Sequence, residues 1–224
     1  MARRAKEEAE KTRARILASA LSLFARKGYE HVTFTQIAAR LKMTKGAVYW
    51  YFETKEQLLI ALVDEMLAKF RRQLTELMPK RELTYLAVAE MMVTNAERIV
   101  DDPKGMAFFM LMKTKIEWGG ETMAGVRERL MSDATTGPYH AFITAVENDI
   151  AAGRIRKDVN PVEIASVGIS MWDGLVRARI ERFLQCDLAG TLRRAYAGMW
   201  EGIRARDPQI GEARRERRRD ERER

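Results

Sequence analysis

Between Thr44 and Phe52 the chain reads Thr-Lys-Gly-Ala-Val-Tyr-Trp-Tyr-Phe, four consecutive aromatics behind a threonine, a lysine and two small residues. The chemistry this set can do is noncovalent. Phenolic hydroxyls donate to anionic oxygens, an indole edge packs on a methyl group, a lysine neutralises a phosphate, and glycine and alanine let the backbone come close. Projected at 100° per residue, Val48 and Phe52 share one side of a helix, where they can pack on Ile37, Ala38 and Leu41. Gly46, Ala47 and Trp50 face the other way, with Tyr49 and Tyr51 flanking them. Phe52 alone of the four is therefore expected in the core, and the other three form a surface suited to a DNA groove. Lys45, and Lys55 at the start of the next helix, add cations and a helix-terminus anion site.

Such a surface needs a short helix held against another. Thr33-Phe-Thr-Gln36 is a capping-box pattern that opens a helix to about Leu41, and Thr44 can cap the one that carries the aromatics. Two short helices joined at Lys42-Met43 make a helix-turn-helix, with Thr33, Thr35, Lys42 and Thr44 beside the same surface. Ahead of them Ile16, Leu17, Ala20, Leu21 and Phe24 repeat at helical spacing in a helix from about residue 8 that ends at Gly28. Behind them Thr54-Lys-Glu-Gln57 is a second capping box, opening a long helix through Leu58, Leu59, Leu62, Val63 and Leu67. Strand patterns are lacking, and the expected fold is all-α.

The remaining breaks fall at Asp101-Asp102-Pro103, Gly119-Gly120, Gly137-Pro138, Gly153 and Asn160-Pro161. Two long helices, about 161 to 185 and 188 to 206, close the fold. Residues 1–60 hold 12 Lys/Arg against 6 Asp/Glu, residues 61–211 hold 21 of each, and the tail 212–224 holds 7 against 5. The net charge of +8 thus sits at the two ends, as a polyanion-binding segment on a neutral body would have it. The tail reads as disordered, or as an extra phosphate-binding arm. No run of about eighteen apolar residues occurs and the start is charged, which predicts a cytoplasmic chain without a membrane span or signal peptide. A single cysteine, Cys186, and two distant histidines, His31 and His140, make a poor metal set. No Glu-x-x-His pair, no nucleophile with a nearby base and no phosphate-cradling glycine loop is present. Neither a cofactor nor an enzyme is expected.

The stretch TKGAVYWYFETKEQLL, with TRARILASALSLFARKGYEHVTFTQIAARL ahead of it, resembles the DNA-binding domain of TetR-family transcriptional repressors over residues 11 to about 67. MARRAKEEAEKTR, GAVYWYF and LMKTKIEWGGE are similar to stretches of the multidrug-efflux repressors of that family. Two residues depart from the family pattern. Lys42 stands at a turn position where glycine is usual, which implies a left-handed or neighbouring conformation there, and Tyr51 replaces a histidine. The resemblance implies a three-helix helix-turn-helix head in residues 1–54, a connecting helix four at about 54–78, and an effector-binding and dimerisation body in 55–211. It implies further a homodimer on a palindromic double-stranded operator, released by a hydrophobic small molecule. Helix four, as the covalent link between body and head, would carry that signal.

Seven of the 13 methionines lie between Met91 and Met131, interleaved with Phe108, Phe109 and Trp118. Flexible thioethers beside aromatic walls suit a pocket for varied apolar shapes, and equally suit an ordinary core. Met91, Met92, Phe109, Met110, Trp118 and Trp172 are the candidate walls; Asn95, Thr114, Glu117 and His140 are the candidate polar groups. MWDGLVRAR resembles a ligand-facing segment of efflux repressors, which brings in Asp173 and Arg177. Asp173 would either attract a cationic effector or pair with Arg177. Gly168, Met171 and Leu175 on one closing helix, with Leu192, Met199 and Ile203 on the other, are the candidate dimer interface, or core. Repeated helical glycines, 174, 190, 198 and 202, imply close helix approach there. The competing functions are a DNA-binding regulator that senses nothing and a helical-bundle enzyme.

Overall fold

The structure, a computed structural model, describes residues 2–77, 82–119, 123–132 and 137–205. Among these it forms ten α-helices: α1 Ala2–Lys27, α2 Phe34–Leu41, α3 Lys45–Tyr51, α4 Lys55–Leu77, α5 Tyr85–Asp101, α6 Pro103–Thr114, α7 Ala124–Ser132, α8 Pro138–Ala151, α9 Pro161–Ile180 and α10 Leu188–Ile203. The tail 212–224 lies outside the described residues. No strand forms among them; one isolated antiparallel bridge, Ile155 with Arg204, ties the end of α10 to the turn after α8.

Local signals set most boundaries. The Thr33 hydroxyl accepts the Gln36 N–H at 3.3 Å while the Gln36 amide accepts the Thr33 N–H at 3.2 Å, completing the expected box. The Thr44 hydroxyl caps α3 through the Ala47 N–H. Gly28 closes α1 at φ 87°, a conformation a Cβ would oppose, and its N–H returns to the Phe24 carbonyl. Asn160 caps α9 through the Val162 N–H with Pro161 in the first turn. The second expected box is altered: Thr54 accepts the Gln57 N–H, but the Gln57 side chain bonds the N–H of Glu53 rather than of Thr54. Three extents differ as well. α1 starts at Ala2 and not near residue 8, because a charged run can be helical without leaving an apolar period. α9 stops at Ile180, where Arg182 turns to φ 63°, and α10 stops at Ile203.

Two cores form. The first gathers Ile16, Leu17, Phe24, Ile37, Val48, Phe52, Leu58 and Leu62 from α1 to α4, and takes in Leu111, Ile116, Met123 and Val126 from α6, the segment after it and α7. The second is built on Tyr85, Met92, Phe142, Trp172, Leu192 and Tyr196. Its aromatic centre is fully bonded: the Tyr85 hydroxyl donates to the Tyr196 carbonyl at 2.9 Å, and the Tyr196 hydroxyl to the Gly168 carbonyl at 3.2 Å. Burial pushes both phenols well above the usual tyrosine range, so they remain neutral donors. The α5 amino terminus is held from outside its own helix. Buried Asp149 on α8 accepts the Tyr85 N–H at 2.8 Å and the Arg154 guanidinium at 2.5 Å, and Arg154 reaches Glu82 at 2.8 Å.

Candidate nucleic-acid interface and cavity

The turn between α2 and α3 is closed by Lys42 at φ 55°, ψ 42°, whose N–H bonds the carbonyl of Ala39, while the Met43 N–H bonds that of Ala38. The left-handed residue expected from the sequence is therefore present, at a cost of about 1 kcal/mol for a side chain with a Cβ. Val48 and Phe52 are buried against Ile37 and Ala38, which fixes the roll of α3. The opposite face is bare. Trp50 is 75% exposed and Tyr49 44% exposed, with Lys45 and Gly46 exposed beside them. Tyr49 is braced edge-on by Phe34 at 4.8 Å, and the Lys45 ammonium lies 5.4 Å from its ring centre. Thr33, Thr35, Lys42 and Thr44 are exposed around the same end of the head, and Ala47 is half-buried.

Two aromatic and cationic positions differ from expectation. Tyr51 is half-buried against the first core, so part of its ring is structural and Phe52 is not the only aromatic of the four that packs inward. Lys55 is turned into the head. Its ammonium donates to the carbonyls of Tyr29 at 3.1 Å and Glu30 at 3.2 Å and stands 4.6 Å from the centre of the Tyr29 ring. Its first role is thus to tie the start of α4 to the loop after α1. Lys55→Met is expected to lower stability by about 1–2 kcal/mol in a denaturant titration, with the salt dependence of DNA binding unchanged. A salt slope lower by about one unit at unaltered stability would instead make Lys55 a phosphate contact.

Behind the head, residues of α4 to α9 line a cavity of about 720 Å³. Of the twelve residues expected there, Met92, Asn95, Phe109, Trp118, Trp172 and Asp173 line it. The rest do not. Met91 is buried in the second core and Met110 packs against it. Thr114 is exposed, its hydroxyl bonded back to the Met110 carbonyl. Glu117 is exposed, and His140 is half-buried two residues beyond the lining Pro138. Arg177 faces solvent and pairs with Glu181 at 3.0 Å. The Asp173 carboxylate pairs instead with Lys113 on α6, so neither expected role, an Arg177 partner nor an open acid, describes it. Phe108 and Met112, named in the methionine-rich run but not among the twelve, line it too, and sequence reasoning missed the apolar residues Met66, Leu67, Tyr139 and Ile169. Their signal was apolar periodicity on α4, α8 and α9, which does not say which apolar face meets a void. Of the methionines singled out, Met92 and Met112 line the cavity, while Met91 and Met123 are core; the Met131 side chain lies outside the described residues. Both indoles are fixed, Trp172 through the Met92 carbonyl at 2.8 Å and Trp118 through that of Met112 at 2.9 Å.

Helix α6 joins cavity to head. Phe108, Phe109, Met112 and Lys113 line the cavity, while Leu111 and Ile116 sit in the first core. Just past α6, the Lys115 carbonyl accepts the Tyr29 N–H at 3.1 Å. Helix four is the covalent connection, and α6 is a second, packed one that no chain-order argument reveals.

The dimer expectations also change. Gly168 is shut in by Tyr196 and Phe142, where an added Cβ would lie 3.5 and 3.6 Å from their rings. Leu192 and Ile203 are buried in the same chain's core, and Met171, Leu175 and Met199 pack against it. These six follow the inward stripe. The outward stripe carries exposed Val162, Ser166, Val167, Ser170 and Gly174 on α9 and Ala197, Gly198 and Gly202 on α10. At Gly174, Gly198 and Gly202 an added Cβ would meet nothing within 4 Å in the chain. Among the described residues no group of three His, Cys, Asp or Glu could hold a metal, and no helix is long and apolar enough to cross a membrane.

A three-helix head with a bare recognition helix, on an all-helical body with a cavity, defines a helix-turn-helix regulator. Residues 16–62 match the model of bacterial regulatory proteins of the tetR family. Over 186 residues the chain is 27% identical to the HTH-type transcriptional regulator TtgR of Pseudomonas putida, covering 79% of this chain and 84% of that one. Over 139 residues it is 31% identical to the probable acrEF/envCD operon repressor of Escherichia coli, covering 58% and 60%. Two solved structures share the fold. NalD, the secondary repressor of the MexAB-OprM multidrug efflux pump in Pseudomonas aeruginosa, aligns with TM-score 0.69 at 24% identity, covering 88% of this chain and 98% of NalD. The SmeT–triclosan complex aligns with TM-score 0.71 at 21% identity, covering 88% and 93%. Residues 16–62 thus carry a DNA-binding domain of the tetR type, the chain shares the fold of the two solved repressors, and the named relatives are transcriptional regulators rather than enzymes.

Proposed function

We propose that this protein is a cytoplasmic, homodimeric repressor of a multidrug-efflux operon, bound to a two-fold palindromic operator and released when a hydrophobic molecule enters the cavity. The observation that carries the reading is α6, whose residues wall the cavity on one side and fill the head's core on the other. A ligand that moves α6 therefore acts on the setting of α3. Efflux control is supported by what the relatives' names say of them, an acrEF/envCD operon repressor and a repressor of MexAB-OprM. The dimer is supported by the outward stripes of α9 and α10, whose glycines leave room for another helix to approach closely. A cavity of about 720 Å³ with mostly apolar walls disfavours the alternative of a regulator that senses nothing, since that is the size and lining of small-molecule sites.

Recovery of genomic fragments by the purified protein, followed by footprinting, tests this. The expected result is an inverted repeat upstream of transport genes, with half-sites about one helical turn or a little more apart. Protection of a site without two-fold symmetry, or by a single chain, would contradict it.

A further inference from the structure

The charge around the cavity specifies the effector's chemistry, an inference that rests on the effector reading above. Among the described residues, six charged side chains contribute to the lining: Lys69, Arg98, Lys113 and Arg127 against Asp102 and Asp173. Both acids are already engaged. The Asp173 carboxylate is paired with Lys113, and that of Asp102 caps α6 by accepting the Lys104 N–H at 3.0 Å. Arg127 donates to the Trp118 carbonyl and so carries its charge at the cavity's edge. Lys69, half-buried, and Arg98 have no ion pair or hydrogen bond from their side chains among the described residues.

The walls between these groups are apolar and aromatic, so charges meet there with less screening than in bulk water. Among the described residues, a cation placed in the cavity would meet an excess of positive charge and no carboxylate left without a partner. An anion would meet two unpaired cations. We propose that the effector is an amphipathic organic anion, an apolar body bearing one carboxylate or phenolate, and that the Asp173–Lys113 pair excludes lipophilic cations. Asp173 alone would invite a cation; it is Lys113, 60 residues away in the chain, that cancels it.

Three probes of one shape and three charges separate the possibilities: 4-biphenylacetate, 4-biphenylmethanol and 4-biphenylmethylammonium, titrated into the full-length protein and followed by tryptophan emission. The carboxylate is expected to bind about tenfold or more tighter than the ammonium, a difference of about 1.4 kcal/mol or more, with the alcohol between them. Lys69→Gln with Arg98→Gln, both on accessible side chains, should bring the carboxylate down to the alcohol's affinity. Lys113→Met should free Asp173 and reverse the order of the charged pair. An ammonium bound as tightly as the carboxylate, or tighter, in the unmodified protein overturns the proposal. If it also releases operator, the effector reading stands and only the ligand class is wrong. If none of the three binds, both fall.

Discussion

Trp50→Ala is expected to weaken operator binding by roughly tenfold to a hundredfold, the range of about 1–3 kcal/mol that one recognition side chain contributes. The loss should appear without a change in folding. Trp50 is 75% exposed, and among the described residues its one ring contact is the edge of neighbouring Tyr51 at 4.7 Å. Nothing in the core of the head needs it, and exposed substitutions of this kind change stability by about 0.5 kcal/mol or less. An indole left bare on a short helix, when Val48 and Phe52 beneath it are sealed, is open to a partner outside the chain. Binding isotherms on the footprinted operator, read beside thermal melts of the same preparations, check both halves. Tyr49→Ala is a less clean test, because Tyr49 also braces Phe34 and carries the Lys45 ammonium over its ring. Unchanged operator affinity in the Trp50 variant would remove α3 from the DNA interface.

The second large effect belongs to the body. Asp149→Ala is expected to lower unfolding free energy by about 3 kcal/mol, because it leaves the Tyr85 N–H, inside the protein at the start of α5, without an acceptor. It also removes an anion from a helix amino terminus, where the backbone dipole favours one. Asp149→Asn keeps an acceptor for Tyr85 and should lose less. Urea titrations of the three proteins give the order wild type, Asn, Ala. A loss in the alanine variant below about 1 kcal/mol would mean that the bond to Tyr85 contributes little. The clasp lies far from α3, so operator affinity under native conditions should change little in either variant.

What could be read from the sequence, and what could not, divides by distance along the chain. Caps are local: a hydroxyl three residues from the N–H it accepts is visible in Thr33 to Gln36 and Thr44 to Ala47, and both bonds form. The roll of α3 follows from the periodicity of Val48 and Phe52. Lys55 shows the limit of such reasoning. Its place at a helix start suggested a phosphate contact, but the carbonyls it serves, Tyr29 and Glu30, stand 26 and 25 residues earlier. Arg177 was the obvious partner for Asp173, one turn away on the same helix. It takes Glu181 one turn further on, while Asp173 reaches across to Lys113. Periodicity also identified an apolar stripe on α9 and α10 without saying what covers it. Gly168, Leu192 and Ile203 are covered by their own chain; of the four glycines meant to mark an interface, Gly174, Gly198 and Gly202 lie on the other face, while Gly190 is closed off by Asp187. The Asp149 clasp left no sequence pattern, since it joins two stretches, 82–85 and 149–154, that lie more than 60 residues apart.

The central claim is that cavity and recognition helix are coupled through α4 and α6, and one titration tests it most directly. Affinity for a cavity ligand, followed by the quenching of Trp118 and Trp172, is measured with and without saturating operator. Linkage is reciprocal: a ligand that weakens operator binding by some factor must itself be weakened by operator by the same factor, typically about 5- to 150-fold. The quenching should be smaller in Trp118→Phe and Trp172→Phe, which places the ligand between the two indoles that line the cavity. The account predicts a dissociation constant that rises by that factor when operator is present. A ligand that fills the cavity with the same affinity in both conditions would contradict it.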